Sequence, residues 1–286
     1  MKHSNSSKYT HSTFGNIIIM LFLTVFAFLM MVPMIYTVCT AFKPSDELFK
    51  FPPSIFVTNP TIMNFYSLSS LLKESWVPFS RYIFNSVFIS GVGTAGNVIL
   101  SSLAAYRIAK FDFPGKKVYF QIVTMSLMFS AAVTAIPNFI IMTRLHMVDT
   151  YWAIIIPACG SSLGLFLMKQ FMEQMVPDAL IEAAQIDGAS EWCIFSKIVM
   201  PVVKPAWLTL IIFSFKDIWN NNGANLIFSE NIKPLPSALS NIVAGGVARA
   251  GASAAVALIL LIPPVLVFIF SQSNVLETMS TSGMKD

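Results

Sequence analysis

Side chains able to do acid–base or ligand chemistry are scarce in this sequence and unevenly placed. Five of its 14 acidic residues, Glu173, Asp178, Glu182, Asp187 and Glu191, fall between Lys169 and Lys204, in a polar block bounded by apolar runs on both sides. They do not spell an active site. There is no GxxxxGK[ST] loop to cradle nucleotide phosphates on backbone N–H groups, no HExxH, and no pair of intramembrane carboxylates. His3, His11 and His146 lack a metal-ligand spacing. Cys39, Cys159 and Cys193 are scattered and odd in number, which reads as thiols rather than a bridge or a metal site. The expectation is a chain with no catalytic residue, metal or cofactor of its own, whose charged block needs a soluble partner to explain it.

The block Asp178–Pro205 has readable local physics. Pro177 fixes φ and Asp178 can cap free backbone N–H groups, so a helix is expected to start there. Ala179 to Ile186 are good helix formers, and Gly188 tolerates the left-handed conformation that ends a helix. Leu180, Ala183, Ala184 and Asp187 recur at i, i+3, i+4 and i+7, giving one narrow face, with Glu182 and Gln185 directed elsewhere. Ser190 is placed to cap a second helix through Phe195 and Ile198, punctuated by Pro201 and Pro205. The expected product is helix, glycine bend, helix at a membrane surface. On this physics alone an ordinary interfacial loop is as good a reading as a docking element.

The elements that must hold the block read as membrane. The chain has 286 residues, 55% hydrophobic and 11% charged, with a mean hydropathy of +0.69; soluble proteins carry about a quarter charged residues. The net charge of +4 is modest and dispersed and gives no basis for a nucleic-acid partner. Six apolar runs are candidates to cross a bilayer core that needs roughly 20 residues: about 17–38, 82–105, 118–142, 151–168, 198–215 and 252–270. The first is too long for a signal-peptide core and is followed by further spans, so it reads as an uncleaved anchor. Residues 40–80 hold five prolines, too many for a compact helix, and read as an outer cover. Lys2, Lys8, Arg107, Lys110, Lys116 and Lys117 mark the cytoplasmic side. The expected fold class is therefore an all-α membrane protein of six transmembrane helices. Both termini are cytoplasmic, with a polar tail over 1–16 and one transmembrane domain over 17–286. A cytoplasmic helix joins spans four and five.

Within the spans, Ser86, Ser90, Gly93, Asn97 and Ser101 repeat at three or four, which puts them on one helical face. Such a stripe lets helices approach closely, or lines a wet path. Gly160 and Gly164 form a small-xxx-small pair. Few charges lie inside the spans, so a path through them would suit a neutral polyhydroxylated molecule better than an ion: Asn97, Asn138, Trp219 and Asn220 are the residues whose amides and indole would fit sugar hydroxyls and ring faces. An interfacial anchor is an equal reading of Trp219.

Glu182-Ala183-Ala184, three residues, Gly188, nine residues, then Ile198-x-x-Pro201 resembles the EAA loop of binding-protein-dependent ABC importer permeases, with Met200 where the family usually has leucine. KPSDELF from Lys43, FPPSIF from Phe51, Asn85-Ser86, Ala104-Ala105-Tyr106, Phe113-Pro114-Gly115, Trp219-Asn220 and Gln272 resemble its carbohydrate-uptake branch, so the likeness runs from Lys43 nearly to the C-terminus. The resemblance implies a maltose-transporter-like subunit in a bacterial, Gram-positive plasma membrane. It implies a second, non-identical permease subunit, two copies of a cytoplasmic ABC ATPase, an extracellular solute-binding protein and a carbohydrate substrate. The C-terminal run VLETMSTSGMKD resembles permeases for complex oligosaccharides, such as rhamnogalacturonan fragments of plant cell walls. It further implies that the 178–190 helix docks in a groove of the ATPase: Glu182 and Asp187 as polar contacts, Ala183 and Ala184 for close approach, Gly188 as the bend, Ile198 and Pro201 completing the loop. Two other readings stay open at this point: a permease for a different solute such as a peptide, and a membrane receptor or scaffold that uses the block for signalling.

Overall fold

The structure, a computed structural model, describes residues 13–73, 76–221, 223 and 225–282. Most of the tail expected over 1–16 therefore lies outside the described residues. Among the described residues every regular element is a helix. They fall into two compact units: Met1–Ser69 with Val247–Leu258, and Ser70–Gly246 with Ile259–Asp286.

The first unit begins with α1 (Thr13–Ala41), whose apolar side chains from Ile17 to Met34 are largely exposed. That exposure is costly in water and free of cost in lipid. After α1 the chain is tied by polar contacts. The Lys43 ammonium donates to the Ser54 carbonyl, and Asn64 Nδ2 donates to the carbonyls of Ala41 and Lys43 at 2.9 and 2.8 Å. The Glu47 carboxylate accepts from the backbone N–H groups of Thr58 and Asn59. The expectation that 40–80 is too proline-rich for helix is corrected: α2 spans Met63–Lys73. The prolines cluster before and after it, leaving 61–77 free of them.

The second unit is built on α3 (Phe79–Lys110), against which the helices over 152–159, 162–175, 204–220 and 235–243 pack; the remaining helices of the unit join them. In order the helices after α3 are α4 (Lys116–Ser126), α5 (Ala131–Arg144), α6 (Trp152–Cys159), α7 (Ser162–Met175), α8 (Asp178–Ile186), α9 (Glu191–Val202), α10 (Lys204–Asn220) and α11 (Leu235–Val243). A last helix, α12 (Ala250–Ser282), runs through both units and carries helix well past the expected span end at 270. The stripe on α3 is buried throughout, so its small residues serve close packing. One close approach is at Gly164 of α7, where an added Cβ would lie 2.6 Å from Ser101 Oγ and 2.7 Å from Asn97 Oδ1. Gly160, its expected partner, meets no neighbouring helix.

Among the described residues four helices are long and apolar enough to cross a membrane: Gly15–Ala41, Phe79–Lys110, Trp152–Met175 and Gly246–Gln272. They become five if α9 and α10, bent by 78°, count as one span. The run expected as a single span over 118–142 is instead α4 and α5, with a turn between Ser126 and Ala131. No glycine or proline marks this break. Ser126 Oγ bonds the Val123 carbonyl and the Ser162 hydroxyl, both at 2.6 Å, the local competition with backbone bonding that serine brings to helix ends.

The chain from Ile227 to Leu235 is fastened to the first turns of α3. Asn85 Nδ2 donates to the carbonyls of Asn231 and Lys233, while Asn85 Oδ1 accepts from Tyr151 Oη. Ser86 Oγ accepts from Leu235 N–H at 2.6 Å, and Tyr82 Oη donates to Glu230. Asn85-Ser86 thus anchors the connection that leads into α11.

Candidate functional site

The 178–190 element forms as its residue types dictate, with one difference. Pro177 is the N-cap and Asp178 the first helical residue, and no side chain caps the helix. Asp178 instead pairs with Lys110 at 2.7 Å. At the other end Gly188 has φ +76°; its N–H bonds the Gln185 carbonyl and the Ala189 N–H bonds the Ala184 carbonyl, both at 3.0 Å. These are the paired bonds of a Schellman stop, satisfying carbonyls the helix leaves free. Ser190 Oγ accepts from Cys193 N–H and starts α9.

Packing then decides which face is offered outward. Ile181 and Ala184 are buried in a core with Tyr106 of α3, Met168 and Met172 of α7, and Phe195 and Val199 of α9. Glu182, Ala183, Asp187 and Gly188 are exposed, as are Ile186, 86% exposed, and Trp192, 65% exposed. The triplet Glu182-Ala183-Ala184 is therefore split: the first two residues face outward, and Ala184 serves the interior of this chain. Ile198 is half-buried against the same core, and Pro201 is exposed at the end of α9. Ile194–Val199 is wound as a π-helix just before Pro201. A proline ring clashes with the carbonyl four residues back and donates no hydrogen bond, and a wider turn relieves both. The bend that follows is braced by Trp207 Nε1–H, which donates to the Met200 carbonyl.

Polar ties that the sequence does not announce hold α8 to α3. Lys110, its side chain 5% exposed, donates to the Val176 carbonyl at 2.5 Å as well as to Asp178. The hydrogen bond from Lys110 holds the Asp178 carboxyl below the usual carboxylate range. Tyr106 Oη donates to Glu191 at 3.0 Å, and Glu191 also accepts from Gln185 Nε2. Lys110 was legible only as a positive charge at a helix end, and Glu191 only as one acid among five.

A second feature lies beside the middle of α3. An open cavity of about 630 Å³ is lined by residues of α3, α5, α6, α7 and α10, among them Asn97, Asn138, Ser162, Ser214, Asp217 and Asn221. Asn97 and Asn138, two of the four expected path residues, share it. Asn97 is 3% exposed and committed: its Nδ2 donates to Ser214 Oγ at 3.0 Å and its Oδ1 accepts from Ser101 Oγ at 2.9 Å. Trp219 and Asn220 do not line it. Trp219 is buried, stacked on Phe215 with its indole N–H donating to the Leu260 carbonyl, so it acts in packing. Asn220 is exposed at the end of α10. The run Gly160–Gly164 spells GxSxG, but it joins two helices where a nucleophile elbow needs a strand and a helix. Its Ser162 meets Ser126.

Residues 97–278 match the family model of the binding-protein-dependent transport system inner membrane component. The chain belongs to that family. It is 29% identical over 267 residues to the arabinooligosaccharides transport system permease protein AraQ of Halalkalibacterium halodurans, covering 91% of this chain and 92% of that one. It is likewise 29% identical to the polygalacturonan/rhamnogalacturonan transport system permease protein YtcP of Bacillus subtilis, covering 75% and 72%. The fold is similar to that of a chain in the crystal structure of a bacterial ABC transporter involved in the import of the acidic polysaccharide alginate. There the TM-score is 0.74 at 21% identity, covering 96% of this chain and 99% of that one. This permease is thus a membrane component of a transport system, and the receptor or scaffold reading is set aside.

Proposed function

We propose that the chain is one of two non-identical permease subunits of an ATP-driven importer that carries an oligosaccharide, such as a plant cell-wall fragment, into the cytoplasm of a Gram-positive bacterium. An extracellular binding protein delivers the sugar, and two ATPase subunits supply the energy; this chain has no ATP site of its own. Residues 17–286 act as one domain of six spans with both termini inside, α4 and α5 together making the third. The relatives that transport arabinooligosaccharides and polygalacturonan or rhamnogalacturonan support the substrate class. A cavity whose lining mixes amides and hydroxyls with apolar side chains, and among the described residues holds one charged group, Asp217, agrees with it.

The observation that carries the reading is the outward face of α8. Glu182, Ala183, Ile186 and Asp187 stand exposed on a helix whose other face is locked into the membrane-spanning core. A small residue flanked by acids and one bare isoleucine is a surface for close docking, and on this reading the partner is the ATPase. ATP favours one of two arrangements of the spans by differential binding, and α8 passes that preference on. The test is co-purification from native membranes. The wild-type chain is expected to bring a second permease and an ATPase, and Ala183→Trp to keep the permease while losing the ATPase. Equal ATPase recovery with both chains would overturn the docking assignment.

A further inference from the structure

We infer that α3 is the lever that carries movement of α8 to the cavity, and that Lys110 and Tyr106 are the positioning residues that fasten α8 to it. The inference rests on the importer reading above. Two ties join α3 to the two ends of α8. Lys110 Nζ reaches Asp178 in the first turn and the Val176 carbonyl just before it. Tyr106, one turn back along α3, donates to Glu191, which accepts from Gln185 in the last turn of α8. Between the ties Ile181 and Ala184 share a core with Tyr106. A displacement of α8 along or away from α3 must break both ties or move α3.

Three routes lead from α8 to the cavity and differ in stiffness. α7, which lines it at Ser162 and Leu163, is joined along the chain to α8 only through the extended Val176–Pro177 link. Along α3, residues 97 to 110 contain neither glycine nor proline, and about 20 Å of helix at 1.5 Å per residue joins Lys110 to Asn97. There the Asn97 amide meets Ser214 in the cavity wall. The third route runs through α9 and α10. It crosses a π-helical stretch, Pro201 and a 78° bend, each a place where a helix yields. The uninterrupted segment of α3 therefore delivers the displacement, and the α9–α10 corner absorbs it.

The test uses the assembled importer in proteoliposomes with its binding protein. Labelled arabinooligosaccharide and labelled galacturonan fragments are offered in parallel, and the readout is solute moved per ATP hydrolysed. ATPase capture and thermal midpoint are measured beside it. Lys110→Met deletes both bonds and keeps the packed stem; Tyr106→Phe deletes one hydroxyl; Lys110→Arg returns a cation. Solute per ATP is expected to fall on the order of tenfold in Lys110→Met and less in Tyr106→Phe, with the ATPase still captured and most of the loss recovered by Lys110→Arg. A purely structural role would lower uptake and hydrolysis together and leave their ratio alone, and that result would overturn the lever. Should Lys110→Met fail to assemble, the ratio in Tyr106→Phe decides. A wild type that hydrolyses ATP yet moves neither saccharide would sink the carbohydrate importer reading itself, and the lever with it.

Discussion

Single positions in this chain act through contacts that a residue type alone does not reveal. Gly164 is required because α7 meets α3 there with no room for a Cβ beside Ser101 and Asn97. Gly164→Leu is expected to destabilise the second unit by about 1–3 kcal/mol or more through overpacking, read as a lower unfolding midpoint in detergent. Gly160→Leu is expected to have little effect, since that position meets no neighbouring helix. Asp149 shows the same dependence on a distant segment. With φ +63°, it accepts from the Phe228 and Ser229 N–H groups and from the Ser229 hydroxyl. The Ser229 hydroxyl, its largest influence, holds the carboxyl below the ordinary carboxylate range. A lowered folded value means the stabilisation is complete above the unfolded pKa, about 4, and is lost as pH falls through the folded one. Protection factors of the Phe228 and Ser229 amides, taken relative to intrinsic exchange at each pH, should therefore be constant at neutral pH and fall only in acid. Asp149→Asn should abolish that acid step; an unchanged step would assign it to another group.

At the scale of elements, α8 is a helix with two clients. Its buried edge, Ile181 and Ala184, belongs to this chain's core, and its exposed edge, Glu182, Ala183 and Asp187, is free for another protein. Adjacent alanines should then respond in opposite ways to the same substitution. Ala183→Trp is expected to leave the unfolding midpoint within experimental error and to abolish ATPase capture. Ala184→Trp is expected to cost about 1–3 kcal/mol or more and to lower the yield of folded protein. Equal midpoints for the two variants would show that the face assignment is wrong. The break between α4 and α5 is an element-scale feature of a different kind: an apolar stretch with no helix breaker turns where Ser126 bonds across to Ser162.

For the whole molecule, the proposed six-span arrangement makes a sidedness prediction. In a chain cleared of Cys39, Cys159 and Cys193, a cysteine placed at Asp187 should react with an impermeant maleimide only in inverted vesicles, and one at Phe228 only in intact cells. Both positions are exposed, so accessibility is set by the membrane and not by packing. Labelling of both from the same side would remove the topology on which the docking of α8 to a cytoplasmic ATPase depends. The α3 helix spans these two ends, tied at Asn85 and Ser86 to the 231–235 connection and at Tyr106 and Lys110 to α8.

The local elements of the site were legible because local chemistry sets them. Pro177 and Gly188 bound α8 where the residue types demand, since fixed φ and a left-handed stop act within a few residues. The apolar runs announced the long helices, because length and hydropathy are properties of a segment. What only tertiary structure decided are the matters of facing. It turned Ala184 inward and Ala183 outward, gave Trp219 a carbonyl partner on α12, and brought Asn97 and Asn138 to one cavity while leaving Asn220 outside it. It also made Lys110 a buried tie instead of a surface charge. Periodicity says which residues share a helical face. It does not say which neighbour meets that face, and burial and hydrogen-bond pairing are set by that neighbour.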